Sequence, residues 1–351
     1  MKRVLVKVLQ TVLLHAAIIL GLTACATPPT PTTAAYSAIP TITYTPAPAP
    51  VPELTTGPSA TPDPYWKYTI DYLRSRIYGG GQLEITATNA RNSAFTRYLV
   101  RYPSDGLMIY GFMNVPNGEG NFPVIIALHG YIDPAIYKTF DYTTHYADAL
   151  ASAGYLVLHP NLRDYAPSDT GDNLFRVGMA IDVLNLIAIL KSTGGKPGPL
   201  QAADPDRIGL WGHSMGGGIA TRVITVSRDV KAAVLYAAVS GDEAKNDATA
   251  SIWSKHDPGN EERSVPAEQL ARISPVDYFA DITAALSIHH SLTDPVVPVE
   301  WSMQTCEQLK ALGKEVECHY YEKMPHTFER QGDKEFIQYT IQFFNRTLMS
   351  P

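Results

Sequence analysis

The chain has 351 residues, of which 45% are hydrophobic, 18% are charged and 10% are aromatic. This composition can bury a large core, so disorder along the whole chain is excluded. Acidic residues outnumber basic ones by 34 to 28, and no basic stripe suited to nucleic acid is present. The stretch from Tyr65 to Pro351 is long enough for one large domain or two small ones.

The first 25 residues have the pattern of an export signal. Three basic residues stand within the first seven positions, an apolar stretch covers 8–22, and residues 22–25 read Leu-Thr-Ala-Cys. This ending resembles the bacterial lipobox, which implies that Cys25 is lipidated and becomes the new N-terminus. A plain signal peptide with an incidental Cys is one alternative. A permanent transmembrane helix is another, although the apolar stretch is short for a span.

Residues 26–64 are rich in Pro and Thr, and only Glu53 and Asp63 are charged. Such a segment cannot bury a core, and its prolines favour extended polyproline II. It therefore predicts a disordered tether between a lipid at Cys25 and a domain at 65–351. We expect an exported lipoprotein on the outside of a bacterial membrane. A Pro-rich ligand for a partner protein is the competing interpretation.

From residue 65 onward, a short lead-in at 65–78 is followed by apolar runs of strand length that alternate with stretches of helical spacing. Strands are predicted over Leu83–Thr88, Phe95–Tyr102, Leu107–Val115, Val124–Leu128, Tyr155–Leu158, Arg207–Trp211, Ala232–Ala237, Leu286–His290 and Glu315–Tyr321. Helices are predicted over Tyr142–Ala153, Asn173–Lys191, Ser214–Val226, Ser302–Leu312 and Phe336–Leu348.

This alternation predicts an α/β fold with a mostly parallel central sheet and helices on both faces. The Ser-Asp-Gly turn at 104–106 predicts a hairpin, and hence an antiparallel start to the sheet. Residues 240–282 interrupt the alternation with a polar, mixed segment. An insertion of this size suggests a cap over the sheet edge, although ordinary connecting helices would also account for it.

The strongest chemical signal is Gly212-His213-Ser214-Met215-Gly216, which matches G-x-S-x-G. It follows a predicted buried strand and opens a predicted helix, which is the context of a nucleophile elbow. A side chain at Gly212 or Gly216 would collide with the neighbouring strand or helix. Ser214 is therefore the predicted nucleophile, held in a strained turn with its hydroxyl exposed.

A serine nucleophile needs a base, and the base needs an acid to orient it. Asp294 and His326 each follow a predicted strand, in the order Ser, acid, His that this fold uses. They are the predicted acid and base, with Asp242 as a rival acid. Four other histidines are assigned to packing or local hydrogen bonds rather than to catalysis: His213, His289, His290 and His319.

The tetrahedral oxyanion of such a reaction needs hydrogen-bond donors. The backbone N–H of Met215 is one candidate, because it directly follows the nucleophile. The second donor is expected in the loop after Val124–Leu128, where the backbone N–H of Tyr131 is the candidate and its phenol a further possibility. A surface aromatic without a catalytic role is the alternative for Tyr131.

With these motifs in place, the chain resembles an α/β-hydrolase, and within that superfamily the catalytic domain of the prolyl-oligopeptidase family and related esterases. Besides G-x-S-x-G, the matching stretches include Asp206-Arg207-Ile208-Gly209-Leu210-Trp211, Ile273-Ser274-Pro275, Thr293-Asp294-Pro295 and Pro325-His326. The resemblance covers about residues 95–348. It implies the same roles for Ser214, Asp294 and His326, and an oxyanion role for Tyr131.

Two departures from the peptidases point towards esterases. Those peptidases carry a β-propeller ahead of the hydrolase domain, whereas about 30 folded residues precede the match here. The residues after His129-Gly130 also differ from the family's glycine- and proline-rich pattern. We expect a serine hydrolase of carboxylic esters, borne by small molecules or by polymers. A peptidase of short peptides or acyl-amino acids is the first alternative.

Acidic residues that anchor a substrate's amino terminus would favour the peptidase. Glu243, Glu261 and Glu262 are available, but a solvated face is the simpler role for them. A non-catalytic surface binding protein is the remaining alternative.

No H-E-x-x-H motif and no paired Cys motif is present, so no metal and no cofactor is expected. Apart from Cys25, the chain contains Cys306 in a predicted helix and Cys318 in the following strand. Export would permit a disulfide between them, whereas packed helices and strands often hold their Cα atoms too far apart. The sequence leaves this bond open.

Overall fold

Nine β-strands form one sheet in the part of the chain that this computed structural model describes, residues 63–253 and 264–349. The predicted signal at 1–25 and the tether up to residue 62 lie outside the described residues. The strands are β1 Glu84–Arg91, β2 Phe95–Ser104, β3 Leu107–Pro116, β4 Phe122–Leu128, β5 Leu156–Pro160, β6 Ala203–His213, β7 Val230–Tyr236, β8 Ala285–Ser291 and β9 Val316–Tyr321.

Eight α-helices are described, together with short 3-10 turns and a final π-turn at 345–349. The helices are α1 Ile70–Ser75, α2 Thr143–Ser152, α3 Val177–Thr193, α4 Met215–Val226, α5 Glu243–Trp253, α6 Ala267–Ile273, α7 Val299–Ala311 and α8 Arg330–Phe344. None of the helices in the described ranges combines the length and the apolarity needed to cross a bilayer.

The strand order in the sheet is β1-β2-β3-β5-β4-β6-β7-β8-β9. β1, β2 and β3 pair antiparallel, and β3 is antiparallel to β5. From β5 to β9 every pairing is parallel. The predicted fold class is thus confirmed, including the antiparallel start. The parallel part has all its carboxyl ends at one edge, where open α/β sheets form their sites.

Helices cover both faces of the sheet because successive strand side chains point to opposite sides. In β4, Val124, Ile126 and Leu128 belong to one buried cluster together with side chains of α3, α4 and α7. Ile125 and Ala127 belong to another, together with side chains of α2 and α8. The continuous apolar run of β4 is therefore buried on both sides, as expected of a central parallel strand.

Several elements are longer than the sequence predicts. β6 begins at Ala203 rather than at Arg207, because Ala203 and Asp204 pair with the start of β4. α8 begins at Arg330, six residues before the predicted start, with a polar first turn. The segment 240–282 contains α5, α6 and a 3-10 stretch at Pro275–Asp281, with 254–263 outside the described residues. Its role as a cap stays a prediction.

Candidate active site

Ser214 lies in the turn between β6 and α4, at the carboxyl edge of the sheet. Its backbone has φ 55° and ψ −117°, a conformation that costs a non-glycine residue about 1–3 kcal/mol. Its N–H donates to the carbonyl of Tyr236 at 2.8 Å, and its carbonyl accepts from Gly217 at 3.0 Å and from Val239 at 3.2 Å. These bonds hold the strained turn in place. The residue remains 7% exposed.

The glycines on either side of Ser214 are required by close backbone contacts. A Cβ on Gly216 would overlap the carbonyl oxygens of Leu128 and His129 at the end of β4. A Cβ on Gly212 would overlap the backbone of Gly216. The collisions that the sequence predicts for both positions are therefore present. Because both positions are glycine, α4 can begin directly against the neighbouring strand.

Asp294 and His326 meet at the same edge, although the chain separates them by 32 residues. His326 Nδ1 lies 2.7 Å from Asp294 Oδ2. Asp294 follows β8, and its side chain is fully buried, whereas that of His326 in the loop after β9 is 16% exposed. Asp294 Oδ1 accepts the backbone N–H groups of Val296 at 2.8 Å and Val297 at 3.0 Å. The predicted acid is thus held from both oxygens.

The surroundings of Asp294 keep it ionised. Burial raises the pKa of this carboxyl. Hydrogen bonds from His290 and His326, the charge of His326 and the backbone N–H of Val297 together lower the pKa by more than burial raises it. The net pKa lies well below its ordinary value. An ionised carboxylate at His326 Nδ1 keeps the proton on that nitrogen and leaves Nε2 able to accept one.

His290 is part of this arrangement, and sequence reasoning assigned it only to packing. It is fully buried in β8, with Nε2 at 3.2 Å from Asp294 Oδ2 and 3.0 Å from the carbonyl of Val297. Both neighbours accept hydrogen bonds, so Nε2 must carry a proton. Nδ1 lies 2.7 Å from Ser302 Oγ in α7. The signal that could have identified His290 is its place at the end of the strand, four residues before Asp294.

The loop after β4 packs directly against Ser214. A Cβ on Gly130 would lie 3.2 Å from Cβ of Ser214. The N–H of Gly130 donates to Tyr142 Oη at 2.9 Å, so it is already engaged. The next residue of this loop is Tyr131, the predicted oxyanion donor. Met215 is the first residue of α4, where N–H groups lack partners within the helix.

His326 also lies next to the elbow. The rings of His213 and His326 are 4.6 Å apart between centroids, and His213 Nε2 is 3.1 Å from the carbonyl oxygen of His326. In the described part of the chain, Ser214 Oγ and His326 share no hydrogen bond. Such catalytic bonds are often long in the resting state and tighten with substrate.

The rival residues have other partners. Asp242 Oδ1 accepts the N–H of Ala244 at 3.0 Å, at the start of α5, and no bond joins it to His326 among the described residues. His289 lies between Ser287 Oγ at 2.8 Å and Tyr321 Oη at 2.9 Å. Burial holds the pKa of His289 well below its ordinary value. His289 and its stacked neighbour His319, 4.7 Å away between ring centroids, therefore belong to packing, as predicted.

The expectation that Glu243 lies on a solvated face is wrong. Its side chain is 5% exposed, with Oε1 at 2.5 Å from Arg222 Nη2 and Oε2 bonded to Arg176. Asn246 Nδ2 also donates to Oε2 at 3.0 Å. Arg222 belongs to α4, so this buried ion pair ties α5 to the helix that follows Ser214. Polar helix starts of this kind are ambiguous in sequence because the buried partner is distant in the chain. Glu261 and Glu262 lie outside the described residues.

Cys306 in α7 and Cys318 in β9 form a disulfide, with their Cα atoms 6.5 Å apart. The distance is within the range that a disulfide allows. Cys25 lies outside the described residues. Within residues 63–253 and 264–349, no group of three or more His, Cys, Asp or Glu side chains could hold a metal ion.

Two family models match the chain. One, described as the prolyl oligopeptidase family, matches residues 199–350, and one described as chlorophyllase matches residues 74–249. A curated relative, the uncharacterized peptidase YuxL of Bacillus subtilis, is 26% identical over 283 residues. That match covers 72% of this chain but 39% of the relative. The chain therefore spans well under half of the length of that protein.

Solved structures share the fold at low sequence identity. An acylaminoacyl peptidase of Pyrococcus horikoshii is 21% identical with a TM-score of 0.57, covering 79% of this chain and 51% of that one. Acetyl xylan esterase 1 of Thermoanaerobacterium is 18% identical with a TM-score of 0.59, covering 80% and 92%. A Pyrococcus furiosus esterase is 19% identical with a TM-score of 0.57, covering 78% and 100%. Both peptidases and esterases are therefore built on this fold.

Proposed function

This chain belongs to the α/β-hydrolase superfamily as a serine hydrolase of the prolyl-oligopeptidase and esterase type, and from this premise we propose that it hydrolyses carboxylic esters outside the cytoplasm. The observation that carries the proposal is the buried Asp294–His326 pair beside the strained Ser214. A neutral imidazole oriented by a carboxylate is the base that a serine hydroxyl needs.

In the proposed reaction, Ser214 Oγ attacks the acyl carbon while His326 Nε2 takes its proton. The N–H groups of Met215 and Tyr131 stabilise the oxyanion that forms. His326 then protonates the leaving alcohol, and Ser214 carries the acyl group. A water molecule activated by His326 attacks this intermediate and releases the carboxylic acid, which restores Ser214. Asp294 keeps its charge throughout and stabilises the imidazolium.

One observation favours an ester over a peptide as the substrate. Glu243 is neutralised by Arg222 and Arg176, so this carboxylate does not serve to anchor a free amino terminus. We propose small-molecule or polymer-borne esters as the substrate class.

The second candidate is a peptidase. It is favoured by the prolyl oligopeptidase model over 199–350 and by the similarity to the uncharacterized peptidase YuxL. The triad itself does not decide, because His326 could protonate a leaving amine as well as an alcohol. Substrate preference must therefore be measured.

The test compares nitrophenyl esters of short acids with aminoacyl and prolyl nitroanilides, using the full chain. Ser214→Ala removes the nucleophile, and Ser192→Ala is a matched loss of a hydroxyl in α3, away from the sheet's carboxyl edge. We expect ester turnover that Ser214→Ala abolishes and Ser192→Ala preserves, with slow or absent anilide cleavage. Efficient anilide cleavage with little ester turnover would replace the esterase with the peptidase.

We further propose that the protein is exported and held at the membrane by a lipid on Cys25, with 26–64 as the tether. The disulfide between Cys306 and Cys318 supports export, because such bonds persist mainly in oxidising compartments. The proposed partners are thus an ester substrate and a membrane surface, without nucleic acid. In bacterial cells, labelled fatty acid should enter the wild-type protein and not Cys25→Ala. Equal labelling of both would overturn the anchor.

A further inference from the structure

A continuous chain of hydrogen bonds crosses the base of the site, and the reaction described above does not use it. The N–H of Gly130 lies 2.9 Å from Tyr142 Oη. Tyr142 Oη lies 2.6 Å from His213 Nδ1. His213 Nε2 lies 3.1 Å from the carbonyl oxygen of His326. This chain of hydrogen bonds therefore runs from the loop that carries Tyr131 to the backbone of His326, the proposed base.

The donors and acceptors in this chain have a single consistent arrangement. The carbonyl of His326 can only accept, so His213 Nε2 must carry a proton. Burial, and then the charge of His326, hold the pKa of His213 well below its ordinary value, so the ring is neutral. Its Nδ1 is then an acceptor for the hydroxyl of Tyr142. The oxygen of Tyr142 in turn accepts the N–H of Gly130.

Packing leaves little freedom to the two side chains. His213 is 2% exposed, and its ring centroid lies 4.4 Å from that of Tyr236 and 4.6 Å from that of His326. Tyr142 meets His213 edge to face at 5.4 Å. A Cβ on Gly130 would come within 2.6 Å of Tyr142 Oη and 3.0 Å of His213 Nδ1. Only a glycine at position 130 lets the backbone come this close to Tyr142 and His213.

We infer that Tyr142 and His213 are positioning residues, which fix the loop of Gly130 and Tyr131 relative to the backbone of His326. The inference rests on the proposed serine hydrolase reaction. An oxyanion donor and a proton acceptor must both be in register with the same reacting carbon. A shift of 1 Å between such groups can lower the rate about 100-fold.

Loss of the Tyr142 hydroxyl would leave the N–H of Gly130 and Nδ1 of His213 without their partners. Both the loop and the base would then relax independently. The groups that they position act on the transition state more than on bound substrate, so the loss should fall on kcat and spare KM. A residue with a merely structural role would lower stability without this separation.

The experiment uses the full chain with Tyr142→Phe, which removes one oxygen atom and keeps the ring. The matched control is Tyr155→Phe. Tyr155 Oη donates to Asn345 Oδ1 at 2.7 Å, and Tyr155 precedes β5 at the opposite edge of the sheet. We expect kcat for a nitrophenyl ester to fall about 10- to 100-fold in Tyr142→Phe, with KM within about twofold. Tyr155→Phe should keep the wild-type kcat.

A second readout is the rate at which a fluorophosphonate labels Ser214, because this probe needs the nucleophile, the base and the oxyanion donors but no particular ester. His213→Gln keeps an N–H donor towards His326 but has no acceptor atom at the position of Nδ1, where Tyr142 donates. It should slow labelling as Tyr142→Phe does. The double variant should be no slower than the slower single variant, since both changes break one chain.

Labelling of Tyr142→Phe within twofold of wild type would overturn the inference, and so would losses that multiply in the double variant. A loss confined to KM would also overturn it. Wild-type protein that reacts with the phosphonate but not with esters would refute the ester proposal instead, and the labelling comparison would still decide the role of Tyr142.

Discussion

Replacing Asp294 by Asn tests the site with a change of one atom. The amide oxygen can still accept the two N–H groups of Val296 and Val297, which lie 2.8 and 3.0 Å from Oδ1. The amide nitrogen then replaces Oδ2, where His326 Nδ1 and His290 Nε2 approach to 2.7 and 3.2 Å. Three donors would face each other at that point. His326 can relieve the conflict only by moving its proton to Nε2.

This tautomer is unable to accept the proton of Ser214, so the base is lost while the geometry is kept. In another serine hydrolase the same exchange lowers kcat by about 10⁴-fold, which corresponds to about 5 kcal/mol of barrier. We expect a loss of about 10³- to 10⁴-fold here, because the buried carboxylate has the same bond to Nδ1. KM should change little, since the acid does not contact substrate.

The assay is the steady-state hydrolysis of a nitrophenyl ester by the full chain, with circular dichroism to verify folding. Asp242→Asn is the control, because Asp242 was the rival acid and caps the start of α5 through Ala244. It should keep kcat within about twofold. A folded Asp294→Asn variant with more than a tenth of the wild-type kcat would refute the assignment of the acid.

Three further predictions concern stability. Gly216→Ala should lower the free energy of unfolding by about 1–3 kcal/mol in urea titrations and reduce kcat more than tenfold, because its Cβ would displace the end of β4; wild-type behaviour would contradict the close contact. Cys306→Ala should lower the free energy of unfolding by about 3 kcal/mol, and a reductant should then cause no further loss of stability. An unchanged free energy of unfolding would show that the bond to Cys318 contributes nothing. His159 is buried beside His129 and Arg97, and burial lowers its pKa to about 3. Below about pH 6.5 the unfolded chain therefore binds a proton at this imidazole that the folded chain does not bind. Stability should fall by about 2 kcal/mol between pH 7.5 and pH 5 on this account, and His159→Gln should reduce that pH dependence; an unchanged slope would refute it.

The parts of the fold that local pattern determines were predictable. β4 is buried on both faces, so its side chains are uniformly apolar and its strand is evident from sequence. The glycines around Ser214 are dictated by backbone overlap, which leaves a recognisable motif. The order of Ser214, Asp294 and His326 follows from the order of the strands that carry them. The first two features are visible in consecutive residues, and the third is visible in the chain order of the predicted strands.

The parts that were missed depend on partners distant in the chain. Glu243 looks solvated because its neutralising partner Arg222 lies 21 residues away in α4. β6 starts early because the polar Asp204 pairs with β4, which no local propensity reveals. His290 looks like an ordinary strand residue until the loop that carries Asp294 folds back over it. Buried polar groups find their partners only when the chain is assembled.

Long-range contacts also hold Asp294 and His326 at a fixed separation. Asp294 is bound by His290, which is bound in turn by Ser302 of α7. α7 is joined by Cys306 to β9, and the loop after β9 carries His326. Asp294 is thereby tied to the strand that precedes His326 through side chains as well as through the sheet. This side-chain path includes a covalent bond, the disulfide between Cys306 and Cys318. The distance between Asp294 and His326 should therefore depend less on the sheet's hydrogen bonds than it would without the disulfide.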